Sequence, residues 1–369
     1  MKKTFLEDKV NVGVNKITPY QPGKSSDSLN LSNEKLIKLA SNENPIGPSK
    51  LATKAISQIV EEAHRYPDGN GTKLKKEISK LEKVPYDCIT LGNGSNDLIE
   101  FSARTFLTNG DNALYFKHGF AIYPLAIMAT GADLKELPVT KNYHQDLTSV
   151  INYIDDRSKV VFIASPNNPT GSANKISEIE EMLKSLPDDL IVFLDQAYFE
   201  YIEDEHYKVP FDLIEKYENL IISRSFSKAH GLAAYRLGFC ISSQKIADYL
   251  NRVRQPFNVS SFALEAGIAS LNDEEHLKKS IDLNQKEKNK LIKFFNEENI
   301  QYLPTQGNFF SFSLDKDSDE TFEAFLNEGI ILRSLKSYNM DRFVRVSIGQ
   351  EDENNSFIEA AKTIKGSIN

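Results

Sequence analysis

The chain has 369 residues, 40% hydrophobic, 26% charged and 10% aromatic, a profile that excludes disordered, collagen-like and coiled-coil chains and leaves room for one large domain or two ordinary ones. Acidic residues outnumber basic ones by 52 to 44, for a formal charge of −8, and no long Lys/Arg block interrupts that balance, so nucleic acid is not expected as a partner. Two cysteines, Cys88 and Cys240, and six scattered histidines give neither a disulfide framework nor a metal-ligand spacing, so no metal is expected.

Residues 1–10 hold no apolar run long enough for a signal peptide, and no stretch approaches the ~20 apolar residues of a membrane span; a cytoplasmic protein with no membrane partner is expected. Turn signals at Tyr20–Gly23 and Asn42–Pro45 mark the opening forty-odd residues, which are too few for a domain and are expected to pack on the C-terminal part. Short apolar runs then alternate with helix-period segments. Strands are predicted at Cys88–Leu91, Ala113–Phe116, Lys159–Ala164, Leu190–Leu194, Leu220–Ser223 and Gly238–Ile241. Helices are predicted at Asn96–Leu107, Ile122–Ala129, Ile176–Ser185 and Ile246–Arg252. This alternation points to an α/β fold with a mostly parallel central sheet. Beyond Pro256 the pattern changes to long charged helices between Ser260 and Glu298, short strands at Phe309–Leu314, Ile330–Leu332 and Phe343–Ile348, and a helix at Ser356–Ile364. The division expected is a large domain over 46–255 and a smaller α+β unit made of 1–45 and 256–369.

Ligands of open α/β sheets bind beyond the carboxyl ends of the strands, and four of those ends are chemically loaded. After Leu91, Gly92-Asn93-Gly94-Ser95-Asn96 is a glycine-rich turn into a helix, whose free N–H groups suit a phosphate. The same residues equally suit a plain glycine turn with a helix cap, and they match neither a dinucleotide fingerprint nor a Walker A loop. After Ala164, the stretch Ser165–Gly171 fixes Asn168 at a strand tip between two prolines; a surface turn is the competing reading. The apolar run 190–194 delivers Asp195 to a buried strand end, where a carboxylate needs a cation or serves as a cap. After Ser223, Lys228 stands among small residues with Arg236 beyond it. Desolvation and neighbouring cations would turn this lysine into a nucleophilic amine, and Ser225, Ser227 and Arg236 suit a phosphate; a solvated surface lysine is the competing reading. One ligand answers all four ends: pyridoxal phosphate, which needs a lysine for its aldehyde, a carboxylate for its ring nitrogen, donors for its phenolic oxygen and a cradle for its phosphate.

With those residues in view, the sequence resembles the fold type I, pyridoxal-phosphate-dependent aminotransferases. The resemblance runs through Tyr20-Gln21-Pro22-Gly23-Lys24, Leu39–Pro45, Arg65-Tyr66-Pro67-Asp68, Gly92–Ser95, Asn168–Gly171, Asp195–Tyr198, Ser225–Lys228 and Val344–Gly349. The Asn-Glu-Asn-Pro and Arg-Tyr-Pro-Asp blocks are most like those of the histidinol-phosphate aminotransferases. The resemblance implies that Lys228 carries the cofactor and shuttles a proton, and that Asp195 holds the ring nitrogen protonated. Asn168 and Tyr198 would bond the phenolic oxygen; Ser95, Asn96, Ser225, Ser227 and Arg236 would hold the phosphate; Phe120 would stack on the ring. Tyr66 would reach the phosphate of the other subunit, making a homodimer. Arg345 would take a substrate carboxylate or phosphate, with Tyr20, Asn42 and Arg333 nearby.

The activity implied is a transfer of an amino group between histidinol phosphate and 2-oxoglutarate, giving imidazole-acetol phosphate and glutamate, in histidine biosynthesis. An aromatic or broad-specificity aminotransferase fits Arg345 equally well. A decarboxylase of amino-acid phosphates would share Lys228 and Asp195, because fold does not decide which bond breaks. A non-catalytic regulator would need an appended DNA-binding domain, which the short segment before Asn42 in a chain of net negative charge is not expected to supply. Gln196, His118 and Ala234-Tyr235 depart from the family pattern at positions beside these motifs.

Overall fold

The computed structural model describes residues 9–19 and 36–366. After a 3₁₀ turn at Val14–Lys16, the described chain runs β1 (Ile37–Lys38), α1 (Lys50–Ile59), α2 (Thr72–Glu82), β2 (Ile89–Gly92), α3 (Ser95–Phe106), β3 (Asn112–Phe116), α4 (Ile122–Ala129) and β4 (Asp133–Leu137). It continues with β5 (Ser158–Ala164), α5 (Ile176–Ser185), β6 (Ile191–Asp195), α6 (Leu213–Lys216), β7 (Leu220–Ser225), β8 (Gly238–Ser242) and α7 (Gln244–Val253). The last stretch holds α8 (Ser261–Leu271), α9 (Glu274–Glu297), β9 (Gln301–Tyr302), β10 (Phe309–Ser313), α10 (Ser318–Asn327), β11 (Ile330–Ile331), β12 (Arg333–Ser334), β13 (Val344–Ser347) and α11 (Glu351–Gly366).

A seven-stranded sheet in the order β2-β8-β7-β6-β5-β3-β4 forms the centre. All its neighbours pair in parallel except β8, which is antiparallel to both β2 and β7. Strand alternation sends side chains to two covered faces. Val160 and Phe162 of β5 join helices α3, α4 and α7 through Leu98, Tyr123 and Leu250. Val161 and Ile163 join α2, α5 and α8 through Ile78, Ile179 and Leu264. The six strands expected from apolar runs are present; β4 escaped the pattern because it is an edge strand with the sequence DLKEL, mostly open to solvent.

A separate apolar cluster lies in the C-terminal part, where Phe294, Phe295, Phe310, Phe312, Phe325 and Phe357 meet Val344, Val346 and Leu39. Its four-stranded sheet, β12-β13-β10-β9, is antiparallel, and β1 pairs in parallel with β11, so the chain around Ile37 belongs to this cluster. Farther upstream, Gly13 packs instead against the end of α4, where an added Cβ would collide with the Met128 carbonyl. The long charged segment after Pro256 breaks at Asn272–Asp273, with the Asp273 carboxylate capping α9 at the His276 N–H.

Candidate active site

The carboxyl ends of β5, β6 and β7 open onto a cavity of about 270 Å3. Ten of the expected residues line it: Ser95, Asn96, Phe120, Asn168, Asp195, Tyr198, Ser225, Ser227, Lys228 and Arg236. Topology explains the convergence. β6 and β7 run in register, Asp195 beside Ser223, and β8 returns antiparallel with Gly238 opposite Ser225. The connection 226–237, which carries Ser227, Lys228 and Arg236, therefore begins and ends at the cavity end of the sheet.

At the floor, the Asp195 carboxylate is 4% exposed and accepts hydrogen bonds from the Tyr123 hydroxyl (3.0 Å), the Ala197 N–H (3.1 Å) and the Ser223 hydroxyl (3.3 Å). Burial pushes its pKa above the usual carboxylate range, while those donors and the Lys228 ammonium pull the other way. Tyr123, on the predicted helix 122–129 but not among the expected site residues, sits one turn beyond Phe120, packs edge-on to that ring at 5.9 Å and stacks on Phe162 at 5.3 Å. Its spacing from Phe120 was the one sequence signal that could have found it.

Lys228 Nζ donates to the Ser41 carbonyl at 3.3 Å. Burial, with the Arg345 and Arg236 guanidiniums, lowers its pKa to about 8, against the opposing pull of Glu43 and Asp195. Tyr198 takes a hydrogen bond from the Asn42 amide at 2.9 Å, so its hydroxyl proton is free to be donated, and burial holds its pKa up at about 12. The amide oxygen of Asn168 accepts from Arg345, which turns the Asn168 NH2 to the remaining side.

The phosphate-shaped corner is made by close backbone approach. Gly94, at φ +80°, precedes α3, and a Cβ there would lie 2.3 Å from Arg236 Nη2. A Cβ at Gly238 would lie 2.7 Å from the Ser95 nitrogen. Arg236 is steered by the Ala233 carbonyl (3.0 Å) and the Ser227 hydroxyl (3.4 Å). Asp97 is turned out of this corner, taking the Asn93 N–H at 2.8 Å and Asn258 at 3.2 Å. Helix N–H groups, two serines and a guanidinium thus face one small volume, a donor set that fits a phosphate dianion.

Arg345 stands beside the cavity, 6% exposed, with its second nitrogen on the Ala40 carbonyl at 2.6 Å and its guanidinium 5.5 Å from the Phe309 ring centre. Arg333 is its cross-strand partner, but it lines a different cavity of about 370 Å3 with Thr18, Tyr115, His118, Glu136 and Tyr338. Tyr66 is 82% exposed and stacked on Phe257 at 4.8 Å, away from the cavity of its own chain. Tyr20 lies outside the described residues. The departures Gln196, His118 and Tyr235 line no part of the 270 Å3 cavity; the His118 ring instead donates from Nδ1 to the Tyr338 carbonyl at 2.5 Å. Among the described residues no cluster could hold a metal ion, and no helix is long and apolar enough to cross a membrane.

Comparison with known proteins gives this arrangement a setting. The family model for aminotransferase class I and II matches residues 34–360. Histidinol-phosphate aminotransferase 2 of Haemophilus influenzae is 43% identical over 356 residues, covering 96% of this chain and 97% of its own. Among solved structures, the histidinol-phosphate aminotransferase of Clostridium acetobutylicum aligns with a TM-score of 0.83 at 27% identity, covering 90% of this chain and 100% of that one. The enzyme of that name from Sinorhizobium meliloti, solved in complex with pyridoxal-5'-phosphate, shares the fold at a TM-score of 0.85 and 23% identity, covering 91% of this chain and 92% of that one.

Proposed function

The chain belongs to the class I and II aminotransferases, and from that premise we propose that it is a pyridoxal-phosphate enzyme moving an amino group between histidinol phosphate and 2-oxoglutarate. The observation that carries this reading is the meeting of Lys228, Asp195, Asn168, Tyr198 and Arg236 in one cavity at the strand tips. The substrate assignment is supported by a relative named for it at 43% identity over nearly the whole chain.

Pyridoxal phosphate, when bound, supplies a carbonyl carbon for the substrate amine and a cationic ring that takes up the electron pair left on the substrate carbon. The chain's own residues do the rest. The Ser95 and Asn96 N–H groups, Ser225, Ser227 and Arg236 hold the phosphate. Asp195 would lie against the ring nitrogen, where a cation would compensate the carboxylate that burial disfavours. Asn168 and Tyr198 would donate to the phenolic oxygen, and Phe120 would cover the ring. Lys228 Nζ lifts and returns the substrate proton; a pKa of about 8 leaves part of it neutral, and so able to accept a proton, near pH 7. Arg345 binds the α-carboxylate of glutamate and the phosphate of histidinol phosphate, with Asn42 supporting the substrate side and Arg333 turned to the neighbouring cavity.

The same proposal includes a homodimer in which Tyr66 reaches the partner's phosphate site, supported by its exposure beside a half-exposed Phe257. It also includes a cytoplasmic location and the division into 46–255 and a unit of 1–45 with 256–369. The apolar cluster in which Leu39 meets Phe295, Phe310 and Phe357 supports a second unit, while α8 packs on the large part through Ala263 and Leu264 and Gly13 packs on α4.

The test is the visible spectrum of the cofactor-loaded protein before and after histidinol phosphate is added without keto acid. Bleaching of the yellow band faster than with phenylalanine supports the reading. A response to phenylalanine alone favours the broad aminotransferase, which Arg345 would serve equally. No band at all removes the cofactor assignment.

A further inference from the structure

Two carboxylates line the cavity among the described residues, Asp195 and Glu43. Asp195 is committed at the floor to three donors. Glu43 is at the rim, its side chain 45% exposed and paired with Lys38 Nζ at 2.8 Å, itself 39% exposed. Its backbone is fixed on both sides. The Asn308 amide holds the Asn42 and Glu43 carbonyls at 3.1 and 3.3 Å, Asn42 reaches the Tyr198 hydroxyl at 2.9 Å, and Asn44 reaches the Ala229 carbonyl at 2.8 Å, next in sequence to Lys228. Glu43 is therefore held between one neighbour bonded to Tyr198 and another bonded to the residue after Lys228.

The charge arrangement gives this position a task. With Arg236 given to the phosphate and Lys228 to the cofactor, Arg345 is left to flank the cavity as an anion site, whereas an amino donor arrives as an ammonium ion that needs an anion, and Glu43 is the lining carboxylate not taken at the floor. We infer that Glu43 is the counter-ion of the incoming ammonium group, released for that purpose from Lys38, and so favours amino donors over keto acids in the same cavity. Replacing one ammonium by another leaves the charge count unchanged, and a half-exposed ion pair costs little to open. A keto acid has no ammonium to offer and gains nothing from Glu43. The inference rests on the aminotransferase reading and assigns Glu43 to substrate selection.

The experiment compares wild type, Glu43→Gln and Lys38→Met as cofactor-loaded proteins. Single-turnover kcat/KM is measured with glutamate and histidinol phosphate, and with 2-oxoglutarate on the amine-loaded form. Calorimetric affinity is measured for glutarate, which is glutamate without its ammonium group. Glu43→Gln is expected to lower kcat/KM for both amino donors about fivefold, as for a partly exposed ion pair. It should leave 2-oxoglutarate and glutarate unchanged or slightly favoured. Lys38→Met should leave the amino donors unchanged or up to about twofold faster. An equal loss for donors, 2-oxoglutarate and glutarate would overturn the inference, as would no loss with donors or a Lys38→Met defect as large as that of Glu43→Gln. If wild type turns over glutamate but not histidinol phosphate, the substrate reading fails while the comparison of glutamate with glutarate still decides the role of Glu43.

Discussion

At the floor of the cavity, Asp195, Tyr198, Ser225 and Lys228 sit on adjacent parallel strands and the short segments that leave them. At its rim, Asn42 bonds to Ser347 and Arg345 to the Ala40 carbonyl, each across 305 residues of sequence, and Asn308 reaches Asn42 across 266. The floor is positioned by the sheet itself. The rim is correct only when the C-terminal cluster has packed on the chain around Ala40. Floor groups should therefore govern the chemical step, and rim groups the choice and capture of substrate.

Lys228→Ala should be the most severe change, lowering turnover by about 10⁴-fold or more while the thermal unfolding midpoint stays within a few degrees. Steady-state rates and far-UV circular dichroism check this, and turnover above a tenth of wild type would remove Lys228 from its role. Asp195→Asn keeps the shape but removes the buried charge proposed to pair with the ring nitrogen. A loss of about 10³-fold in kcat is expected, equivalent to about 4 kcal/mol. Asn42→Ala breaks the link from the rim to Tyr198. It should lower kcat/KM about tenfold, mostly through KM, as for a lost hydrogen bond of about 1.4 kcal/mol. A pure kcat effect from Asn42→Ala, or a pure KM effect from Asp195→Asn, would erase the distinction between floor and rim.

The smallest effect is one of pH. In the cofactor-free protein the Lys228 amine lies at about 8, below its ordinary value of 10.5. Below 8 folded and unfolded chains both hold the proton and the buried charge costs stability; between 8 and 10.5 only the unfolded chain retains it, so stability contributed by this site rises with pH. Lys228→Met should accordingly melt higher than wild type at pH 7, with the gap narrowing as pH approaches 10. A gap independent of pH would mean the amine is not depressed.

The floor was readable because each of its groups follows an apolar run: 190–194 leads to Asp195, and 160–164 leads to the Ser165–Gly171 turn that holds Asn168. The rim was much less so. Asn42 and Arg345 came from family likeness, since nothing local in sequence reveals a bond spanning 305 residues. Arg333 illustrates the limit: its register opposite Arg345 puts both on one face, yet it opens to the neighbouring cavity beside Tyr115 and His118. Helices α1 and α2 were not anticipated. α2 is lysine-rich with only Leu74, Lys75 and Ile78 buried, and its amphipathic stripe is thin. Nor did apolar runs reveal direction, and the antiparallel return of β8 was invisible without the pairing itself.

Strand β13 has two faces with different duties. Val344 and Val346 are embedded among the phenylalanines of the C-terminal cluster, while Arg345 between them points to the cavity. The guanidinium is thereby mounted on a stiff lever whose fulcrum is remote hydrocarbon. A tilt of that cluster by a fraction of an ångström would carry the guanidinium with it, so that, in the proposed role of Arg345, a drift in substrate preference would arise from residues such as Phe357 in the remote cluster.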